Sequence, residues 1–234
     1  MKIAIMQPYI FPYIGYFQLI NAVDKFVIYD NIQYTKKGWI NRNRILVNGS
    51  DQFISLPIKK DSAHLNVVDR SLADSWNLDK KTMLNRIKES YRKAPYFKET
   101  YELIDECLTN NDTNLFEFIL QTIKCVMNHL SIETELIVSS NVSIDHELNG
   151  VEKVMAICKQ EGADVYINPI GGIDLYSHAK FEENGLKLQF QKSKDITYKQ
   201  FGNDFVPWLS IIDVVMFNSS QEISEFLNKY SIKS

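Results

Sequence analysis

Between Asp30 and Arg44 the sequence reads DNIQYTKKGWINRNR, and from Asn31 to Ser50 it carries Lys36, Lys37, Arg42 and Arg44 without one acidic residue. A guanidinium grips a phosphate through paired N–H bonds. Trp39 and Tyr34 offer ring faces for a base or sugar, and Gln33, Asn41 and Asn43 supply amide donors and acceptors. This mix suits a nucleoside diphosphate or a nucleotide-linked sugar, with Lys37, Arg42 and Arg44 on the diphosphate. The plainer alternative is a solvated basic loop anchored by Trp39. Stacking and phosphate contacts also serve single-stranded nucleic acid. The patch is short, however, and the chain's net charge is −3, which disfavours that partner.

A second group of candidates is the crowded stretch MQPYIFPYIGYFQLI, residues 6 to 20. Gln7 and Tyr9 would line a loop after a first strand. Tyr13, Gly15 and Tyr16 would sit at the first turn of a helix, where free backbone N–H groups favour an anion. The alternative is that Pro8 and Pro12 stiffen a turn and the rings fill core. The tetrapeptide Tyr13-Ile14-Gly15-Tyr16 resembles the His-x-Gly-His signature of nucleotidylyltransferases, with tyrosine at both histidine positions. Neutral tyrosine donates a hydrogen bond but carries no positive charge, so the resemblance speaks for a nucleotide-binding type of fold more than for nucleotidyl transfer.

The candidate bases are Asp30, at the end of a predicted strand, and His178, four residues after Asp174 in YINPIGGIDLYSHAKF. On one helix Asp174 and His178 would share a face, and the carboxylate would orient the imidazole; a surface ion pair fits the spacing equally well. Asp213 stands inside an apolar run, and a buried carboxylate needs a partner; an arginine such as Arg42 or Arg44 is one reading, and capping of a neighbouring helix fits the sequence equally well. Cys107, Cys125 and Cys158 are widely spaced and odd in number and show neither metal-ligand spacing nor a disulfide framework, so buried thiols are expected.

These residues need a scaffold. Apolar runs at 2 to 6, 25 to 29, 164 to 168 and 186 to 190 read as strands. A helix-length piece from Ile14 to Ala22 lies between the first two, and Val151 to Cys158 has helical spacing before the third. Strand, helix, strand in so few residues predicts parallel pairing. Residues 79 to 93 and 113 to 130 read as long amphipathic helices, broken by Pro95 and Asn110-Asn111. The predicted fold is α/β, a Rossmann-like parallel sheet with nucleotidylyltransferase-like as a narrower form. One domain over 1–234 would carry a mainly helical insertion at 76–130. Hydrophobic residues make up 45% of the chain and charged ones 24%, an ordinary globular balance. The N-terminal residues lack the pattern of a secretory leader and no window is apolar enough to span a bilayer, so a cytoplasmic location is expected.

Taken together, MQPYIFPYIGYFQLINAVDKFVIYDNIQYTKKGWINRNRI, YRKAPYF and LSIIDVVMFN resemble the WbqC-like family of bacteria. The likeness runs through Gln7, Pro8, Pro12, Gly15, Asp30, Gln33, Trp39, Asn41, Arg42 and Asn43, and departs at Ser219-Ser220, where glycine is expected after Asn218. The resemblance implies a role in O-antigen, lipopolysaccharide or other surface-polysaccharide biosynthesis. Specifically, it implies a transferase that places an aminoacyl group, such as glycyl, or another acyl group on a nucleotide-activated amino sugar. Asp30, or His178 with Asp174, would then deprotonate the sugar amine. The acyl donor would be a loaded acyl carrier protein, coenzyme A derivative or aminoacyl-tRNA, with no permanently bound cofactor and no metal. Two alternatives stay open, a nucleotidylyltransferase-like enzyme and a non-catalytic nucleotide-sugar binding or scaffold protein. The oligomeric state is open as well.

Overall fold

A computed structural model describes residues 1–110, 112–202 and 204–234, so Asn111 of the expected Asn110-Asn111 break lies outside the described residues. In chain order the elements are β1 (Lys2–Met6), α1 (Ile14–Asn21), β2 (Lys25–Ile28), β3 (Arg42–Val47), β4 (Ser50–Ser55), α2 (Trp76–Tyr91), α3 (Phe97–Leu108) and α4 (Leu115–His129). They continue as β5 (Glu135–Val138), α5 (Gly150–Gln160), β6 (Val165–Pro169), α6 (His178–Glu182), β7 (Lys187–Ser193), α7 (Ile211–Phe217), α8 (Ser220–Leu227) and β8 (Tyr230–Lys233). Short 3₁₀ turns cover Ser139–Asn141 and Ile170–Leu175.

The central sheet has the order β5-β2-β1-β6-β7-β8, parallel throughout except for β8, which runs antiparallel to β7. This is the mostly parallel α/β architecture expected from the β1-α1-β2 pattern. Strand side chains alternate between faces, and here both faces are covered. Ala4, Phe26, Ile28 and Ile167 meet α1 and the helices α2 to α4 in one apolar cluster. Ile3, Ile5, Val27, Tyr166, Leu188 and Phe190 meet α5 and Phe181 of α6 in the other. Burial on both sides is why the strands read as continuous apolar runs rather than as alternating ones. Cys107 and Cys158 are buried as expected, whereas Cys125 is half-buried.

Hydrogen bonding at the helix starts explains several boundaries. Asn114 Oδ1 accepts from the amides of Phe116 and Glu117 at the start of α4, and Ser219 forms a reciprocal capping box with Glu222 at α8. The serine where glycine is expected therefore opens a new helix.

The main difference from the sequence reading is the hairpin β3–β4. It is a separate two-stranded sheet whose turn, Asn48-Gly49, has φ of 51° and 79°. Two successive positive φ values are what a tight hairpin turn demands, and Asn-Gly supplies them at least cost. Arg42, Asn43 and Arg44 are thus strand residues, not members of a flexible basic loop.

Candidate functional site

The strand order reverses between β1, from which the chain moves outward to β2, and its parallel neighbour β6, from which it moves to β7 on the other side of the sheet. In open α/β sheets ligands settle outside the carboxyl ends of the strands at such a point. A cavity of about 520 Å³ opens near that edge, between the chain leaving β2 and the start of α5. Tyr29, Asn31, Gln33, Asn66, Lys153 and Tyr176 line it, together with Asn149 and Gly150.

Lys153 is the unusual member. It is only 8% exposed, and no carboxylate among the described residues pairs with it. Among the described residues its Nζ has neutral partners only, Asn31 Oδ1 at 3.4 Å, His146 O at 3.3 Å and the Tyr29 ring with its centre 5.9 Å away. Both oxygen distances are long for hydrogen bonds. An enclosed ammonium with such weak partners is costly unless an anion completes it. The first turn of α5 adds unpaired N–H groups, since Asn149 makes no side-chain cap. Asn31 is itself fixed, its Oδ1 lying 2.8 Å from Ser139 Oγ and sharing that hydroxyl's single proton with Asp30, and its Nδ2 lying 3.1 Å from His146 Nδ1. Burial pushes the Tyr29 and Tyr176 phenols above their ordinary range, so both stay neutral donors.

The outer wall of this cavity is a short antiparallel pairing of residues 30–34 with 65–68. Val68 N donates to Asp30 O at 3.1 Å, Val67 N to Ile32 O at 2.9 Å and Tyr34 N to Leu65 O at 3.1 Å. Gln33 lines this cavity and a second one beyond the wall.

Of the residues expected at the site, Gln33 is the one that reaches this cavity. Asp30 is 2% exposed, and its Oδ1 accepts from Ser139 Oγ at 2.7 Å and Ser140 N at 2.9 Å. It ties the end of β2 to the turn after β5 and lines neither cavity. Asp174 lies in the 3₁₀ turn Ile170–Leu175, while His178 begins α6. Extended backbone at Tyr176 and Ser177 separates them, and no hydrogen bond joins them among the described residues. The shared helical face expected from their spacing does not exist. His178 packs edge-on against Phe190 instead, with ring centroids 5.7 Å apart.

The basic stretch is used internally. Arg42 Nε donates to Gly38 O at 2.9 Å, its Nη2 donates to Lys37 O, and its guanidinium lies 4.6 Å from the centre of the Phe53 ring. Arg44 pairs with Asp51 at 3.0 Å and donates to Trp208 O at 3.1 Å, so its charge is already matched. Trp39 is 42% exposed and stacks loosely on Phe53 at 5.9 Å. Asn41 donates to Leu56 O and accepts from Tyr34 Oη, each at 2.8 Å. Asn43 donates to Ile10 O at 3.1 Å and Phe11 O at 2.6 Å.

The aromatic loop after β1 is largely core. Tyr16 is 2% exposed; its hydroxyl donates to Gln7 O at 3.2 Å, and its ring meets Tyr9 edge-on at 5.1 Å. Gln7 itself is exposed. The Tyr13 ring lies over Gly15, where any Cβ would overlap it. Tyr13 also lines a smaller apolar cavity of about 270 Å³ with Tyr198, Phe205 and Trp208. The first turn of α1 is therefore closed by rings and not open to an anion.

Asp213 pairs with neither arginine. It accepts from Tyr91 Oη at 2.8 Å, Tyr198 Oη at 2.6 Å and Gln200 Nε2 at 2.8 Å. Lys153, Asn31, Asn66 and Tyr176 are absent from the sequence-based candidates. In sequence Lys153 is one more lysine of an amphipathic helix, and only packing against the end of β2 encloses it.

A profile of the WbqC-like protein family matches residues 7–225. The uncharacterized protein Rv1507c of Mycobacterium tuberculosis is 30% identical over 230 residues, which cover 97% of each chain. No solved structure matches the chain. No helix among the described residues is long and apolar enough to cross a membrane. With the family profile extending from the aromatic loop after β1 into α8, this chain belongs to the WbqC-like protein family.

Proposed function

We propose that this chain binds a nucleotide-linked amino sugar in the Lys153 cavity and transfers an acyl or aminoacyl group, such as glycyl, to the sugar amine. The observation that carries the reading is Lys153, nine-tenths buried beside the uncapped first turn of α5 with only neutral partners among the described residues. A phosphate there would complete the ammonium. The volume of about 520 Å³ suits a ligand of nucleotide-sugar class, and the amides of Asn31, Gln33 and Asn66 match sugar hydroxyls.

In the transfer the sugar nitrogen attacks the acyl carbon. The bond from acyl carbon to carrier breaks, and the carrier leaves with the electron pair. The attacking ammonium must first lose a proton. Asp30 is enclosed, and Asp174 and His178 lie apart from each other, so in this reading the proton passes to water at the cavity mouth. Acyl carrier protein, coenzyme A and aminoacyl-tRNA are the donor classes to test. The family resemblance supports a role in surface-polysaccharide biosynthesis, and a cytoplasmic location accompanies that role. A nucleotidylyltransferase reading loses support, because rings close the α1 start where its phosphates would sit.

Titration calorimetry with UDP and with a UDP-linked amino sugar tests the reading. Binding to the wild type and a tenfold or greater loss in Lys153→Met are expected, about 1.4 kcal/mol or more. Absence of binding of either compound at millimolar concentration would rule the reading out. Binding without acyl transfer from any of the three donor classes would favour a non-catalytic binding protein.

A further inference from the structure

Beyond the wall formed by residues 30–34 and 65–68 lies a cavity of about 730 Å³, and its lining includes Lys36, Lys59, Lys60 and Arg70 against one carboxylate, Asp61. Lys59 is matched by Asp74 at 2.7 Å, and Asp61 Oδ1 accepts from Ser62 N at 2.7 Å. Lys36, Lys60 and Arg70 form no ion pair among the described residues.

Arg70 is the built part of this site. It is 6% exposed, and its guanidinium stands 4.3 Å from the centre of the Tyr34 ring. Nη2 donates to Ser62 O at 2.8 Å, which fixes the plane. Nε is buried and has no hydrogen-bond partner among the described residues, and Nη1 makes no hydrogen bond among them either. An unpartnered Nε is not by itself distinctive, since Arg44 has one too, but Arg44 is paired with Asp51, and Arg42 donates to Gly38 O and Lys37 O. Arg70 is instead oriented by one carbonyl and one ring face, and no carboxylate among the described residues pairs with it. Tyr34 is held in turn through its hydroxyl, which donates to Asn41, so the stack is preorganised. A preset guanidinium flanked by two unpaired ammonium groups is suited to an oxyanion of more than one negative charge.

We propose that the cavity beside Arg70 is a second phosphate-binding site, separate from the Lys153 cavity, that takes the diphosphate group of a second ligand. Gln33 sits on the wall common to both cavities, so ligands in the two sites would approach each other there. The proposal stands on Arg70 and its neighbours and does not require the Lys153 cavity to hold a sugar. Nucleotides and coenzyme A both carry a diphosphate, and the experiment separates them.

Calorimetric titration of the full chain with sodium pyrophosphate should show a site that Arg70→Gln weakens tenfold or more and that Lys153→Met leaves in place. Circular dichroism checks that both variants fold. If Arg70→Gln does not fold, the double variant Lys36→Ala/Lys60→Ala decides, since both residues are on the cavity rim; a loss of threefold or more is expected. Pyrophosphate binding that neither the arginine variant nor the double variant changes, or no binding to the wild type at millimolar concentration, would overturn the proposal. Parallel titrations with UDP and coenzyme A in the Lys153→Met background identify the source. Tighter binding of one of them than of pyrophosphate names the organic part, and equal binding of all three assigns the site to the diphosphate alone. Loss of binding in Lys153→Met but not in Arg70→Gln would leave the Lys153 reading intact and refute this one.

Discussion

Several polar residues that look like ligand contacts in the sequence are fasteners in the structure, and the polar groups left unmatched lie elsewhere. Asn43 is 2% exposed and spends its amide on the carbonyls of Ile10 and Phe11. Ser210 Oγ also donates to Phe11 O at 2.8 Å, and Ile211 N donates to Pro12 O at 2.8 Å. The aromatic loop is thus clamped between β3 and the start of α7. Asn43→Ala should cost about 1–3 kcal/mol in a denaturant melt, because it leaves a buried carbonyl unpaired. A loss below about 0.5 kcal/mol would mean that water replaces the amide. Asp213 illustrates the same principle with a charge. Burial raises its pKa from 3.8 although three side-chain donors pull it down. A raised folded pKa means stabilisation that is full below the unfolded value and is lost as pH rises through the folded one. The stability advantage of wild type over Asp213→Asn should therefore be larger at about pH 4 than at about pH 7 in urea melts. An advantage that grows with pH would show the opposite shift.

At the scale of elements, the hairpin β3–β4 decides what the basic stretch does. Its register pairs Arg44 with Phe53 and Arg42 with Ser55. Side chains two apart on a strand share a face, so Arg42, Arg44, Trp39 and Phe53 collect into one surface cluster. The Asn48-Gly49 signal was present in the sequence, and it converts the expected phosphate loop into a strand. Gly49, at φ 79°, should lose about 1 kcal/mol on replacement by alanine. Gly171, where an added Cβ meets nothing within 4 Å, should lose much less, and the pair compared by thermal melting isolates the backbone effect. Asn114→Ala should cost about 1 kcal/mol by removing the two amide contacts at the start of α4. An unchanged melting temperature would mean that packing alone sets that boundary.

For the whole molecule, enclosing Lys153 sets stability against binding. A buried ammonium without a carboxylate is a cost to the unliganded fold, and replacing such a group with an apolar one of similar volume is often neutral or stabilising. Lys153→Met should therefore match or exceed the wild type in melting temperature without ligand, by up to about 2 kcal/mol in stability. It should lose the upward shift that the proposed binding of a UDP-linked amino sugar is expected to give the wild type, since such a shift follows ligand concentration over Kd. A variant that melts well below the wild type would show Lys153 to be a structural residue.

The sequence by itself determined the parallel sheet, because the period of apolar residues and the short β1-α1-β2 spacing are local properties that permit little else. It also determined α2 and α4, whose apolar stripes are legible, and the family, through the residues around the aromatic loop and the β3 strand. Only the tertiary structure decided which polar groups are left unmatched. Arg42, Arg44, Asn41 and Asn43 are consumed by carbonyls, a carboxylate and rings brought from as far away as Trp208. Lys153 and Arg70 have no carboxylate partner among the described residues, and the chain leaving β2 and the segment before α2 enclose them. Whether a charge is spent or free depends on neighbours distant in sequence, and residue spacing carries no record of them.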